Sequence, residues 1–151
     1  MGPQAAGAEG ALAAIVAASN EADRIGETVR ALRTAFPEAR VWVADDASED
    51  GTAETAMAAG AEVVSRGRPH GKGANVTAAA EAALSVEAPP RFVLLCDGDL
   101  GTSAARLAPL VEAVGAGECD LAVAAFSRRL GGGFGVALGF ARWAIRRLCG
   151  A

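Results

Sequence analysis

The sequence predicts an α/β fold, a three-layer, Rossmann-like arrangement with a mainly parallel central sheet covered on both faces. Two observations carry that expectation. Short, almost continuous apolar runs recur along the chain, "ALAAIVAAS", "RVWVA", "AEVVS", "RFVLLC" and "DLAVAAF", as strands do when both their faces are buried. Between these runs lie segments with apolar residues at helical spacing, and alternation of strand and helix builds parallel βαβ units. The 151 residues have the length of one domain with a single core.

The elements follow in order. Residues 1–10, rich in Gly and Ala, read as a loose tail. The first strand, 11–18, leads into a helix on which Ile25, Val29, Leu32 and Phe36 fall on one face, and Pro37 ends it. "RVWVA" is the second strand and "DDASEDG" a turn rich in Asp, Ser and Gly. Residues 52–60 suit a short helix closed by Gly60, and "AEVVS" a third strand. The loop "RGRPHGKG" precedes an Ala-rich helix over about 73–85, which "EAPP" breaks before the fourth strand. Ser103 is placed to cap a helix over 104–115 carrying Leu107, Leu110, Val111 and Val114 on one side. "DLAVAAF" reads as a fifth strand, and "GGGFG" as a joint before a last helix-like segment.

Composition narrows the function classes. Hydrophobic residues make up 52% and charged residues 21%, which is globular rather than disordered. Aromatics are scarce at 5%, so the core is built from small aliphatic side chains. No apolar run approaches the roughly 18 residues a membrane-spanning helix needs. No basic residue precedes Arg24, so a secretory leader is not expected and the chain reads as cytoplasmic. Cys96, Cys119 and Cys149 match neither a disulfide framework nor a metal spacing, and the first two read as small buried apolar residues. Every acidic residue lies at or before Asp120, whereas Arg128, Arg129, Arg142, Arg146 and Arg147 lie beyond it. An acidic body argues against nucleic-acid binding, while the basic end suits phosphate or an anionic membrane surface.

Three polar clusters end three of the strands: Ser19-Asn20-Glu21, Asp45-Asp46 and Asp97-Gly98-Asp99. In a parallel sheet, ligands bind beyond the carboxyl ends of the strands. Asp97 and Asp99, two residues apart in an extended chain, point the same way and form a partial oxygen shell for Mg²⁺ or Mn²⁺, with water and phosphate completing it. Gly98 leaves room for close approach to the backbone. Asp45 could accept a hydrogen bond from a nucleobase, and Lys72 could reach a phosphate at the start of the next helix. Alternatively, each cluster is an ordinary solvated turn, since Asp, Ser and Gly are common turn residues. Neither a P-loop nor a dinucleotide-binding GxGxxG is present.

Taken in series, "IVAASNEADRIGETVRALR", "VWVADDASEDGTAETA", "RGRPHGKGANVTAAAEAAL" and "FVLLCDGDLGTS" resemble family 2 glycosyltransferases of the GT-A fold. "GKG" followed by "DGDLGTS" is most similar to those that load glucose or mannose onto a polyprenyl (dolichyl-type) phosphate. The resemblance implies a nucleotide-diphosphate sugar donor of the UDP-glucose or GDP-mannose type and a divalent cation on Asp97 and Asp99. It implies that Ala17, Ser19 and Glu21 line the nucleoside pocket and that Val43 and Asp45 hold the base. Asp97, Gly98 and Asp99 would hold ribose, diphosphate and metal, and Arg128 would reach the donor phosphates.

The chain departs from the family pattern at three of these places. Ala17 and Ser19 stand where the family usually has Pro and an aromatic ring, a stacking surface worth about 1–3 kcal/mol. Gly101 stands where some relatives place a further metal-ligating side chain, leaving that role to water or Thr102. The domain organisation expected is a tail at 1–10, a donor-binding domain at 11–127, and a joint with a basic, apolar helix at 128–151. The acceptor half, with any general base, is expected beyond Ala151, so that the chain is a truncated donor half. The rival readings are a non-catalytic nucleotide-sugar module or an inactive relative. A phospho-receiver domain is disfavoured because Arg128, not Lys, follows the last strand, and a nucleotidyltransferase because the Gly-rich basic loop after strand one is absent.

Overall fold

The structure, a computed structural model, describes residues 12–124. Four strands, β1 (Leu12–Ala18), β2 (Arg40–Asp45), β3 (Glu62–Ser65) and β4 (Phe92–Asp97), form one sheet in the order β3-β2-β1-β4. All neighbours pair in parallel. The helices are α1 (Ile25–Ala35), α2 (Thr52–Ala58), α3 (Lys72–Leu84) and α4 (Ala108–Gly115). Each strand is joined to the next in sequence by a helical crossover, as the alternating pattern predicts.

Alternation along the strands sorts side chains into two layers. Leu12, Ala14, Val16 and Ala18 of β1 join Val41 and Val43 of β2 and Leu94 of β4 against Ile25, Val29 and Leu32 of α1 and Ala56 of α2. On the opposite face, Ala13, Ile15, Trp42 and Ala44 meet Ala79 and Ala83 of α3. Small alanines let α3 lie close to the sheet, which suits a chain poor in aromatics. The face predicted for α1 is observed, with Ile25, Val29 and Leu32 fully buried and Phe36 partly buried against the same cluster. Each fully buried aliphatic side chain contributes about 1.5–3 kcal/mol. Helix α2 ends as expected at Gly60, where the Gly60 amide donates to Met57 and the Ala61 amide to Ala56, satisfying its last carbonyls.

Three expectations are corrected. The helix foreseen over 104–115 is α-helical only from Ala108. Residues Gly98–Leu107 form 3₁₀ turns broken at Gly101, and the Ser103 hydroxyl donates back to the Leu100 carbonyl at 2.5 Å instead of capping a helix. The segment "DLAVAAF" forms no strand over residues 120–124. Apolar character alone does not make a strand without a partner backbone, and Leu121 and Val123 are exposed. Cys119 is exposed, in the turn after α4 and outside both layers, whereas Cys96 is partly buried against the α1-side core; both are free thiols. The joint, the basic segment and Arg128 lie outside the described residues.

Candidate functional site

The sheet order places a topological switch between β1 and β4, because the chain runs outward through β2 and β3 and then returns to the other side of β1. Register aligns the strand ends: Ala17 pairs with both Ala44 and Asp97, and Ala18 with Asp45. The crevice at such a switch is where open α/β sheets take ligands.

Side chains knit the three polar clusters together there. The Asn20 amide donates to Ser48 Oγ at 2.8 Å, Asn20 Oδ1 accepts from the Glu49 amide at 3.1 Å, and the Glu21 amide donates to Thr52 Oγ1 at 2.8 Å. These bonds lash the turn after β1 to the loop after β2. Asp50 accepts from the Thr52 hydroxyl and from the amides of Ala22 and Thr52, and those donors, the Thr52 hydroxyl foremost, hold its carboxyl below the usual range. Asp46 reaches the other way and accepts from the His70 amide at 2.8 Å, the Gly71 amide at 3.3 Å and the buried Asn75 side chain. Asp46 thereby satisfies otherwise orphan donors where α3 begins. Its pKa is lowered, chiefly by the His70 amide, against a smaller opposing effect of desolvation.

The result is an open cleft of about 270 Å³, small for a whole nucleotide sugar but unroofed. Of the residues singled out from sequence, Ala17, Ser19, Glu21, Lys72, Asp97, Gly98 and Asp99 line it. Asp46, Ala18 and Ala44 line it as well. Val43 and Asp45 do not. Val43 is fully buried in the α1 layer, and Asp45, 2% exposed, spends its oxygens on the Ser48 amide and hydroxyl. The period-two rule foretells this: Asp45 follows Val41 and Val43 on the core side, and Asp46 turns away from it. Asp46 was therefore readable from alternation. Thr28 of α1 carried no such signal, because it sits within an apolar helix face.

The DGD turn leaves the edge of the sheet with little freedom. Gly98 is buried, and a Cβ there would lie 3.2 Å from the Ala17 carbonyl oxygen and 3.2 Å from Ile25 Cδ1. Gly101 has φ 54° and ψ −139°, a conformation open only to glycine, and a Cβ there would lie 2.7 Å from Glu27 Oε2. The backbone conformation accounts for the missing ligand side chain at 101, and the end of the Glu27 side chain would also have to swing aside for one. Thr102 is exposed.

Asp97 and Asp99 are exposed at the cleft, and Lys72 Nζ pairs with Asp97 Oδ1. Asp97 thus already holds a cationic group, and the two carboxylates suit a hard divalent cation whose remaining positions are filled by water and phosphate. No cluster of three or more His, Cys, Asp or Glu occurs among the described residues. Burial first, and the Asp97 charge second, push the Cys96 thiol up to about 12, and its side chain packs on the α1-side core.

Comparison with known proteins agrees with this geometry. No curated protein matches the chain. A solved structure, described as the crystal structure of a mycobacterial protein, is 25% identical with a TM-score of 0.59; the match covers 77% of this chain and 42% of that one. The matched part of this chain therefore spans less than half of that structure. The family model described as glycosyl transferase family 2 matches residues 13–145. With its parallel GT-A-type sheet and acidic turn at the switch point, the chain belongs to glycosyl transferase family 2.

Proposed function

We propose that the chain binds the nucleotide-diphosphate part of a sugar donor, of the UDP-glucose or GDP-mannose type, for transfer of a hexose to an acceptor. The observation that carries this reading is the meeting of Asp97, Asp99 and Lys72 in one cleft at the β1–β4 switch. Asp97 and Asp99 would hold Mg²⁺ or Mn²⁺, which supplies Lewis-acid stabilisation of the departing diphosphate. Lys72, on the first turn of α3, is placed to meet a donor phosphate. Its pair with Asp97 is open to solvent on both sides, and exposed pairs are worth only about 0–1 kcal/mol, so exchanging partners costs little. Ala17, Ser19, Glu21 and Asp46 would bound the nucleoside, with no aromatic platform beneath the base. Arg128 would join them at the donor phosphates.

The acceptor we favour is a polyprenyl phosphate met at the cytoplasmic face of a membrane, which Arg142, Arg146 and Arg147 would approach. A phosphate acceptor is already ionised at neutral pH and needs no strong general base, whereas a hydroxyl would. No helix among the described residues is long and apolar enough to cross a membrane.

Calorimetric titration with UDP-glucose and GDP-mannose, with and without Mn²⁺, tests the reading, once circular dichroism shows a folded chain. Metal-dependent binding by the parent, abolished in the Asp97→Ala, Asp99→Ala double variant, is the expected result. A folded chain that binds neither donor would sink it. Binding without transfer to any acceptor would favour a non-catalytic nucleotide-sugar module.

A further inference from the structure

Thr28 lies in the apolar face of α1, between Ile25, Val29 and Leu32, and is fully buried. A threonine within a helix commonly bonds back to the carbonyl four residues earlier. Here that contact, to the Arg24 carbonyl, is the long one at 3.3 Å. The hydroxyl instead donates to the Gly98 carbonyl at 2.7 Å and accepts from the Gly101 amide at 2.8 Å, both bonds being buried. Gly98 and Gly101 bracket Asp99 and Leu100, so one hydroxyl closes both ends of the turn that presents the acidic pair.

We infer that Thr28 is a positioning residue for the carboxylates of the cleft, holding the Asp97–Asp99 turn in its cation-ready shape from beneath. Three observations support the assignment. The two bonds have opposite sense, so the position requires a group that both donates and accepts, and a valine of the same shape does neither. Gly101 adopts a conformation that glycine takes freely and other residues rarely do, one of several open to it, and Thr28 fixes its amide there. The side chains of Asp97 and Asp99 are themselves exposed, so their placement depends on the backbone that carries them. Groups that orient a ligating residue in this way typically change metal affinity by about 10–100-fold when removed.

This inference rests on the cation-binding reading of Asp97 and Asp99, and the test separates the two. Mn²⁺ affinity is measured by calorimetry on the full chain and on Thr28→Val, Thr28→Ser and Val29→Ala. Amide hydrogen exchange is followed over residues 98–107. Val29 is fully buried one position along and makes no bond to the turn, so its variant reports loss of stability alone. Thr28→Val is expected to weaken Mn²⁺ binding about tenfold or more and to speed exchange at the Gly101 amide. Thr28→Ser should restore both, and Val29→Ala should lower the thermal midpoint without moving the affinity.

Parent-like Mn²⁺ affinity in Thr28→Val overturns the inference while leaving the cleft reading intact. So does an equal loss in Val29→Ala, which would make the effect one of stability. A parent chain that binds no Mn²⁺ sinks the cation reading and the role of Thr28 with it. Should Thr28→Val fail to fold, the parent decides: a Gly101 amide that exchanges as fast as the open loop at 66–71 overturns the grip.

Discussion

Strands β1 and β4 are neighbours with equally apolar sequences, "LAAIVAA" and "FVLLCD", yet they live differently. All but one residue of β1 is buried, on both faces. In β4 only Leu94 is, and Val93 and Leu95 on the α3-facing side are 42% and 60% exposed. Register puts Val93 beside Ala13 and Leu95 beside Ile15, so all four share one face of the sheet. Helix α3 covers Ala13 and Ile15 but leaves Val93 and Leu95 largely exposed. The loops differ in the same sense. Those following β1 and β2 are cross-linked by Asn20, Ser48, Asp50 and Thr52, whereas the turn after β4 is held from α1 through Thr28. Apolarity expresses what a strand can bury; the number of layers above it decides what it does bury.

The largest effect should come from the strands themselves. Ile15→Ala is expected to cost about 2–5 kcal/mol in urea unfolding, and Leu95→Ala to stay within about 0.5 kcal/mol. Equal costs would mean that β4 is covered in solution and would erase the contrast. Next is the joint between the two regions. Gly101→Ala should lose about 1–3 kcal/mol through backbone strain. Adding Glu27→Ala should return only the share due to the close approach, a coupling that a double-mutant cycle reads directly.

The smallest effect concerns the loop side. Asp46 has a folded-state pKa below the ordinary 3.8, so the folded state binds its proton less tightly than the unfolded state does. Its charge therefore stabilises the fold fully above about pH 4, and that contribution disappears as pH falls through the folded-state value. Thermal midpoints of the parent and Asp46→Asn should differ at pH 7 and converge in acid. A gap that persists unchanged at low pH would show that geometry, not charge, is what Asp46 supplies.

Much of the fold was legible from local pattern. The stripe of Ile25, Val29 and Leu32, the stop at Pro37 and the closure at Gly60 follow from helix geometry that a few adjacent residues specify. The 3₁₀ turns over 98–107 were not legible, since Leu107, Leu110, Val111 and Val114 stand at α-helical spacing and give no sign that the α-helix begins only at Ala108. Nor was the absence of a strand at 120–124, because pairing depends on a second backbone. Within the candidate site, the acidic turn and Lys72 were found from position and chemistry, while Asp46 and Thr28 act through partners 24 to 73 residues away in sequence.

By itself, then, the sequence determined the alternation of strands and helices, the polar ends of the strands and the residue types able to hold a cation and a phosphate. Those properties follow from periodicity and side-chain chemistry, which are local. Only the tertiary structure decided that Asp45 is spent inside its own loop, that Asp46 binds the backbone and Asn75 where α3 begins, and that a buried threonine grips the acidic turn. A carboxylate or hydroxyl has several possible partners, and which it takes is settled by what the folded chain brings within hydrogen-bonding distance.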